Sequence, residues 1–249
     1  MSGEKILLVS DSLEGPTGFG VNACNIAWCL AGEYEVHVLG LQSIQDQQAI
    51  LNFQGEKRTV TQHANIPRTG DKYDFGQKSL PRLLNELKPD ILLTINDIQM
   101  VSHIPSVLYP AEFRINALDM PSKIMRSKEE LHMELDALID RLKEKFPPPV
   151  KWIMYAPQDG EPPIPNWQNI YYVADQVIAM SKYGQKIFKE WFTMDVPYIY
   201  HGVDTENFKP IAGYEELSDK FVVGDVNRNQ PRKQPIRLIE AFAKFAKDK

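Results

Sequence analysis

Short apolar runs alternate along this chain with turns marked by glycine or proline and with apolar stripes at helical spacing. Residues 5–10 (KILLVS) are apolar almost throughout and turn polar at the end, the pattern of a strand buried on both faces of a parallel sheet. The turn Gly15-Pro16-Thr17-Gly18-Phe19-Gly20 follows. A helix is predicted over 21–31 with Gly32 as its C-cap, and a second strand over 35–40. Strand, glycine turn, helix and strand open a βαβ unit.

Residues 41–76 are polar and read as loop and edge structure, with short strand candidates such as 58–60. Leu80, Leu83, Leu84 and Leu87 then form a helical stripe that stops at Lys88-Pro89. Residues 90–95 are the next buried strand, followed by a mostly helical stretch over 98–108. Ser127 with Glu130 makes a capping box for a helix carrying Leu131, Leu135, Leu138, Leu142 and Phe146. Pro147-Pro148-Pro149 ends that helix and reads as a stiff connector.

Three further strands are predicted over 150–155, 176–180 and 196–200, with a helix over 183–192 joining the last two. Such alternation predicts an α/β fold with a Rossmann-like, doubly wound parallel sheet. After Tyr200 comes a turn-rich passage, a strand over 221–226, and an amphipathic helix over 235–247 with Leu238, Ile239, Phe242 and Phe245 on one side. The expected organisation is therefore a first domain over 1–200, a linker over 201–219, and the first βα unit of a second Rossmann-like domain over 220–249. A single βα unit cannot enclose its own core, so it either packs on the first domain or belongs to a larger second one.

Composition narrows the function classes. The 249 residues suit one large domain, or one domain plus part of another. A formal charge of −5 gives no basic face for nucleic acid. Cys24 and Cys29 are five positions apart on a predicted helix, off one face, and read as small buried hydrophobes in a reducing compartment. No Cys/His spacing suggests zinc. No apolar segment is long enough for a signal peptide or membrane span, so a cytoplasmic location is expected, with a peripheral membrane contact left open.

Three places carry candidate chemistry. The glycine turn would let a ligand approach the backbone near helix amides, or it serves the fold alone. Its order is G-x-x-G-x-G rather than G-x-G-x-x-G, and the second strand ends in Leu39-Gly40 instead of an acid, which disfavours a dinucleotide. Asp159 follows a predicted central strand, where ligands of open α/β sheets bind. It could orient a hydroxyl, act in proton transfer, or simply form an Asp-Gly turn. Arg228 and Lys233 lie on a strand-to-helix turn, where two cations and helix amides could steady a phosphate. The plain alternative is a solvated basic turn, since Arg232 and Arg237 are close by.

Two segments bear a family likeness. His201-Gly202-Val203-Asp204-Thr205-Glu206-Asn207-Phe208-Lys209-Pro210 resembles the N-G-V-D-x-x-x-F-x-P passage between the two domains of glycosyltransferase family 4. Val223-Gly224 through Arg228-Asn229-Gln230-Pro231-Arg232-Lys233 to Ala241-Phe242 resembles the start of that family's donor-binding domain. The resemblance implies a GT-B glycosyltransferase, retaining and metal-independent, moving a sugar from a nucleotide-sugar donor to a glycan, lipid or protein acceptor. It implies no cofactor beyond the donor substrate. The first domain would receive the acceptor and the second would hold the donor.

By the same resemblance, Arg228 and Lys233 bind the donor phosphates, and Gly18, Phe19 and Gly20 form a substrate-binding loop. Asp159 stands at the end of the family's His-Asp element as the catalytic candidate, and Gly202 is the hinge. Tyr155 and Gln158 stand where relatives carry a histidine, and Asn227 stands where many carry glycine. The family's pair of glutamates spaced by seven residues does not follow Arg228, so the chain as it stands is expected to transfer negligibly. The competing reading is a non-catalytic Rossmann-like module that binds a sugar or a partner.

Overall fold

The computed structural model describes residues 3–65, 74–110, 128–163, 168–210, 221–227 and 229–247. Two compact units divide the chain, Met1–Gly202 and Val203–Lys249. The first unit holds one seven-stranded sheet in the order β3-β4-β2-β1-β5-β6-β7. Its strands are β1 (Lys5–Ser10), β2 (Glu35–Gly40), β3 (Gln47–Phe53), β4 (Glu56–Ala64), β5 (Ile91–Ile95), β6 (Lys151–Ala156) and β7 (Gln176–Ala179). Every neighbouring pair is parallel except β3–β4.

β1 lies at the centre because its apolar run is buried on both faces, as are Leu92 and Ile95 beside it. Its register with β5 is pinned at both ends. The Lys5 N–H donates to Asp90 Oδ2 at 2.7 Å, and Ser10 Oγ donates to the Ile95 carbonyl at 2.9 Å.

Alternation along the strands sends side chains to two cores. Leu8, Val36, Val38, Leu51, Val60 and Ile95 meet Ala23 and Ala27 of α1 (Gly18–Leu30) on one face. Leu7, Val9, Leu39, Leu92, Trp152 and Met154 face the other helices of the unit. These are α2 (Ser79–Leu87), α3 (Ile98–Val101), α4 (Ile104–Leu108), α5 (Lys128–Lys145), α6 (Gln168–Val173) and α7 (Lys182–Phe192). Helices on both faces of a mostly parallel sheet make the doubly wound α/β class that the alternation predicts. Among the described residues no helix is long and apolar enough to cross a membrane, and Cys24 and Cys29 are unpaired.

Several local expectations are corrected. Within the polar stretch 41–76, β3 and β4 form a hairpin closed by Gln54 and Gly55, both with positive φ (49° and 85°). Its polarity reflects a strand pair at the sheet edge with one face in water. The helical stretch 98–108 is two short helices, the second with proline in its first turn. Residues 196–200 form no strand, contributing only a bridge between Tyr198 and Ala179.

Gly32 does not cap α1 in the left-handed conformation. Ala31 is the right-handed C-cap, and a β-carbon on Gly32 would lie 2.6 Å from Arg58 Nη1. That guanidinium donates to the Trp28 and Cys29 carbonyls at 2.9 and 3.1 Å and stacks 3.9 Å over the Trp28 ring. An arginine from β4 thus closes the helix end, and glycine makes room for it.

The second unit contains a 3-10 turn at Pro231–Lys233 and the expected helix, α8 (Pro235–Lys247). Residues 221–227 have no ladder partner among the described residues, contrary to the strand predicted over 221–226. A strand is defined by a bonded neighbour, and sequence pattern alone cannot supply one. The capping residue Ser127 lies outside the described residues.

A histidine pair crosses the β2–β4 seam. His37 Nδ1 lies 3.0 Å from His63 Nε2, the rings stack at 5.3 Å, and His37 Nε2 lies 2.8 Å from Glu35 Oε1. If the His37 Nε2–H donates to the carboxylate, Nδ1 is left to accept from His63. Burial first, and then the neighbouring His37, hold the His63 imidazole below its ordinary value near 6.5. A base held low is neutral in the fold. Its contribution is therefore complete above that ordinary value and is lost as pH falls through the lower folded value. Melting temperature is expected to drop on acidification below about pH 6.5, and the drop should flatten in His63→Gln, read by thermal scans from pH 8 to pH 5. Equal slopes in both proteins would contradict this.

Candidate functional site

The strand order reverses direction at β1. From there the chain runs outward through β2 and β4 on one side, and through β5, β6 and β7 on the other. The crevice beyond the carboxyl ends of β1 and β5 is the switch point at which open α/β sheets take their ligands.

The glycine turn stands at one wall. Thr17 is the N-cap of α1: its Oγ1 accepts from the Gly20 N–H at 3.0 Å and donates to Asp11 Oδ2 at 2.7 Å. Asp11 Oδ1 accepts from Gln42 Nε2 at 2.6 Å, and Gln42 Oε1 accepts from the Ser12 N–H at 2.8 Å. Asp11 is buried with both carboxylate oxygens engaged, so it acts as a strut under the turn. From β4, the fully buried Gln62 accepts from the Leu13 N–H at 2.8 Å. The turn is therefore braced from β4 and from the turn after β2 before any ligand arrives.

The three predicted loop residues face different ways. Gly20 is buried against the Ser12 and Gly15 carbonyls, and Phe19 packs on the α1-side core. A β-carbon on exposed Gly18 would meet nothing within 4 Å. Gly18 alone offers open backbone beside the turn.

The opposite wall was missed from sequence. β5 is followed by Asn96 and Asp97, a polar pair directly after the buried run Ile91–Ile95, which was the available signal. Asn96 is 2% exposed, and neither its Oδ1 nor its Nδ2 has a hydrogen-bond partner. Beside it, after β6, Gln158 is buried: its Nε2 donates to the Gly160 carbonyl at 3.0 Å and its Oε1 accepts from the Tyr171 hydroxyl at 3.3 Å. Burial first, then the negative charges of Asp97 and Asp159, push the Tyr171 phenol well above its ordinary range. That places both carboxylates in the electrostatic neighbourhood of one hydroxyl. Asp159 is exposed at the end of β6, open to an incoming group.

Tyr155 serves the other face. Its hydroxyl donates to the Ile199 carbonyl at 2.8 Å and lies 3.4 Å from His201 Nδ1. Gly202 closes the first unit. A β-carbon there meets open space and its φ is not positive, so nothing local demands glycine. In the second unit Lys233 is exposed in the 3-10 turn. Arg228 lies outside the described residues. Among the described residues no group of three or more His, Cys, Asp or Glu could hold a metal ion.

No protein-family model matches the chain, and no curated protein matches it. Among solved structures it is similar to a sucrose-phosphate synthase from Thermosynechococcus elongatus, at 11% identity and a TM-score of 0.41. That match covers 81% of this chain and 90% of the other. A likeness so distant leaves the function to be argued from the residues.

Proposed function

We propose that the chain belongs to a cytoplasmic GT-B glycosyltransferase of the retaining, metal-independent kind, with the first unit on the acceptor side. The observation that carries this is the switch-point crevice. It is bordered by the segments that follow β5 and β6, which carry the amide of Asn96 and the carboxylates of Asp97 and Asp159. Amides and carboxylates suit a ligand rich in hydroxyls, because each carboxylate oxygen accepts from an O–H and an amide serves as donor and acceptor.

Asp159, exposed after β6, is proposed to take or orient an acceptor hydroxyl proton. Arg228 and Lys233 are proposed to bind the donor diphosphate. Its negative charge grows as the glycosidic bond breaks, so fixed cations there favour the transition state over the ground state. Gly202 is proposed as the point about which the units move.

The test is calorimetric titration with UDP-, GDP- and ADP-sugars, using the chain together with whatever its reading frame encodes beyond Lys249. Arg228→Ala and Lys233→Ala are each expected to weaken donor affinity about ten- to a hundredfold, the size of a charge-assisted hydrogen bond (about 1.5–3 kcal/mol). Donor binding indifferent to both changes, or no donor binding at all, would sink the proposal. Sugar binding without transfer would instead mark a non-catalytic module.

A further inference from the structure

The sheet ends differently at its two sides. Beyond β7 the edge is closed: the Ala179 N–H donates to the Pro197 carbonyl at 2.9 Å, and the Ile199 N–H donates to the Ala179 carbonyl at 2.9 Å. Beyond β3 no strand follows, and among the described residues no backbone group bonds to its outer side. In an antiparallel pair alternate residues bond inward, so the others in Gln47–Phe53 turn N–H and C=O outward.

Natural edges are usually blunted by a charge, a proline or a bulge. β3 reads QQAILNF and has none of these, and its register with β4 runs unbroken from Gln47↔Gln62 to Phe53↔Glu56. A groove of about 410 Å³ runs beside it, lined by the whole strand and by Cys24, Asn25 and Trp28 of α1.

We propose that β3 is a homodimer interface. Two copies of the chain pair their β3 strands antiparallel about a two-fold axis at Ile50, joining two sheets into one. The strand's own sequence favours a second copy as the occupant. About Ile50, Gln48 falls opposite the partner's Asn52 and Ala49 opposite the partner's Leu51. Ile50, 67% exposed in the single chain, falls opposite the partner's Ile50.

Amide thus meets amide and aliphatic meets aliphatic. The two-fold axis sets the central residue opposite its own counterpart, so a self-pairing edge cannot tolerate charge at its centre, and this one carries none. The added strand would bond the outward N–H and C=O groups, and its side chains would enter the groove beside α1. With the β7 edge closed, pairing stops at two copies and does not propagate into a filament.

The experiment is sedimentation equilibrium of the full chain over roughly 1–100 µM. A dimer is expected for the parent. Ile50→Lys sets two ammonium groups face to face and should raise the dissociation constant by about tenfold or more, as should Ile50→Glu. Mixing the two variants in equal amounts should restore association, because lysine then faces glutamate. Ile50 is exposed, so the melting temperatures of the separated variants report whether the fold is intact. The proposal fails if the parent sediments as a monomer throughout, or if neither variant weakens its dimer. It also fails if the mixture associates no better than either variant alone, which would place the contact elsewhere.

Discussion

Gly20→Val is expected to cost about 3–5 kcal/mol of stability and to collapse the turn that opens the switch-point crevice. A β-carbon at this position would lie 2.7 Å from the Ser12 carbonyl oxygen and 2.8 Å from that of Gly15. Both are backbone atoms, so neither can swing aside. Ser12 O also accepts from the Gly15 N–H at 2.9 Å, and displacing it breaks the bond that holds the turn shut. Crowding of about 1–3 kcal/mol is thus compounded by lost hydrogen bonds of about 1 kcal/mol each. Gly18→Ala is the matched control. It meets open space at the start of α1 and should gain about 0.4–1 kcal/mol, because alanine loses less backbone freedom on folding. Urea unfolding of the two variants should separate them in opposite directions from the parent, and a Gly20→Val protein as stable as the parent would contradict the turn geometry.

The second large effect is expected at Gln62, on a different strand from the turn it supports. Gln62→Leu keeps the size of a fully buried side chain and deletes its polar end. The Leu13 N–H loses its acceptor at 2.8 Å, Ser12 Oγ loses a longer contact at 3.4 Å, and Ser43 Oγ loses the donor at 3.2 Å. Orphaned groups in an interior cost about 1–3 kcal/mol each, so a total of about 2–4 kcal/mol is expected. Because the damage centres on the Leu13 amide, its hydrogen exchange should accelerate more than that of Leu7 or Leu8 in the core of β1. Uniform acceleration across β1 would mean that Gln62 serves only general packing.

The strands buried on both faces were legible before the structure, because their chemistry is local. Lys5–Ser10, Ile91–Ile95 and Lys151–Ala156 are apolar runs that could not rest anywhere else. What escaped depends on partners distant in the chain. The β3–β4 hairpin looks polar because one of its faces is wet, and its turn uses Gln54 at positive φ where glycine or asparagine would have signalled it. Arg58 closing α1, and Gln62 bracing the glycine turn, are contacts across about thirty and fifty residues that no spacing rule encodes. The candidate site divides likewise. Asp159 and the glycine turn could be found because they follow strands, whereas the unpartnered amide of Asn96 has meaning only once its surroundings are closed. Residues 221–226 show the converse: a strand-like pattern without a neighbour to bond among the described residues.

The central seam has a consequence for biosynthesis. β1 is made well before β5, one of its two neighbours, and the bonds from Lys5 to Asp90 and from Ser10 to Ile95 each span 85 residues. Loop closure over that distance is slow, and until it occurs β1 presents an unmatched apolar border. A nascent or prematurely terminated polypeptide ending before Pro89 would carry that sticky border without remedy. Such truncated products should precipitate or recruit chaperones, while release past β5 should bring solubility back.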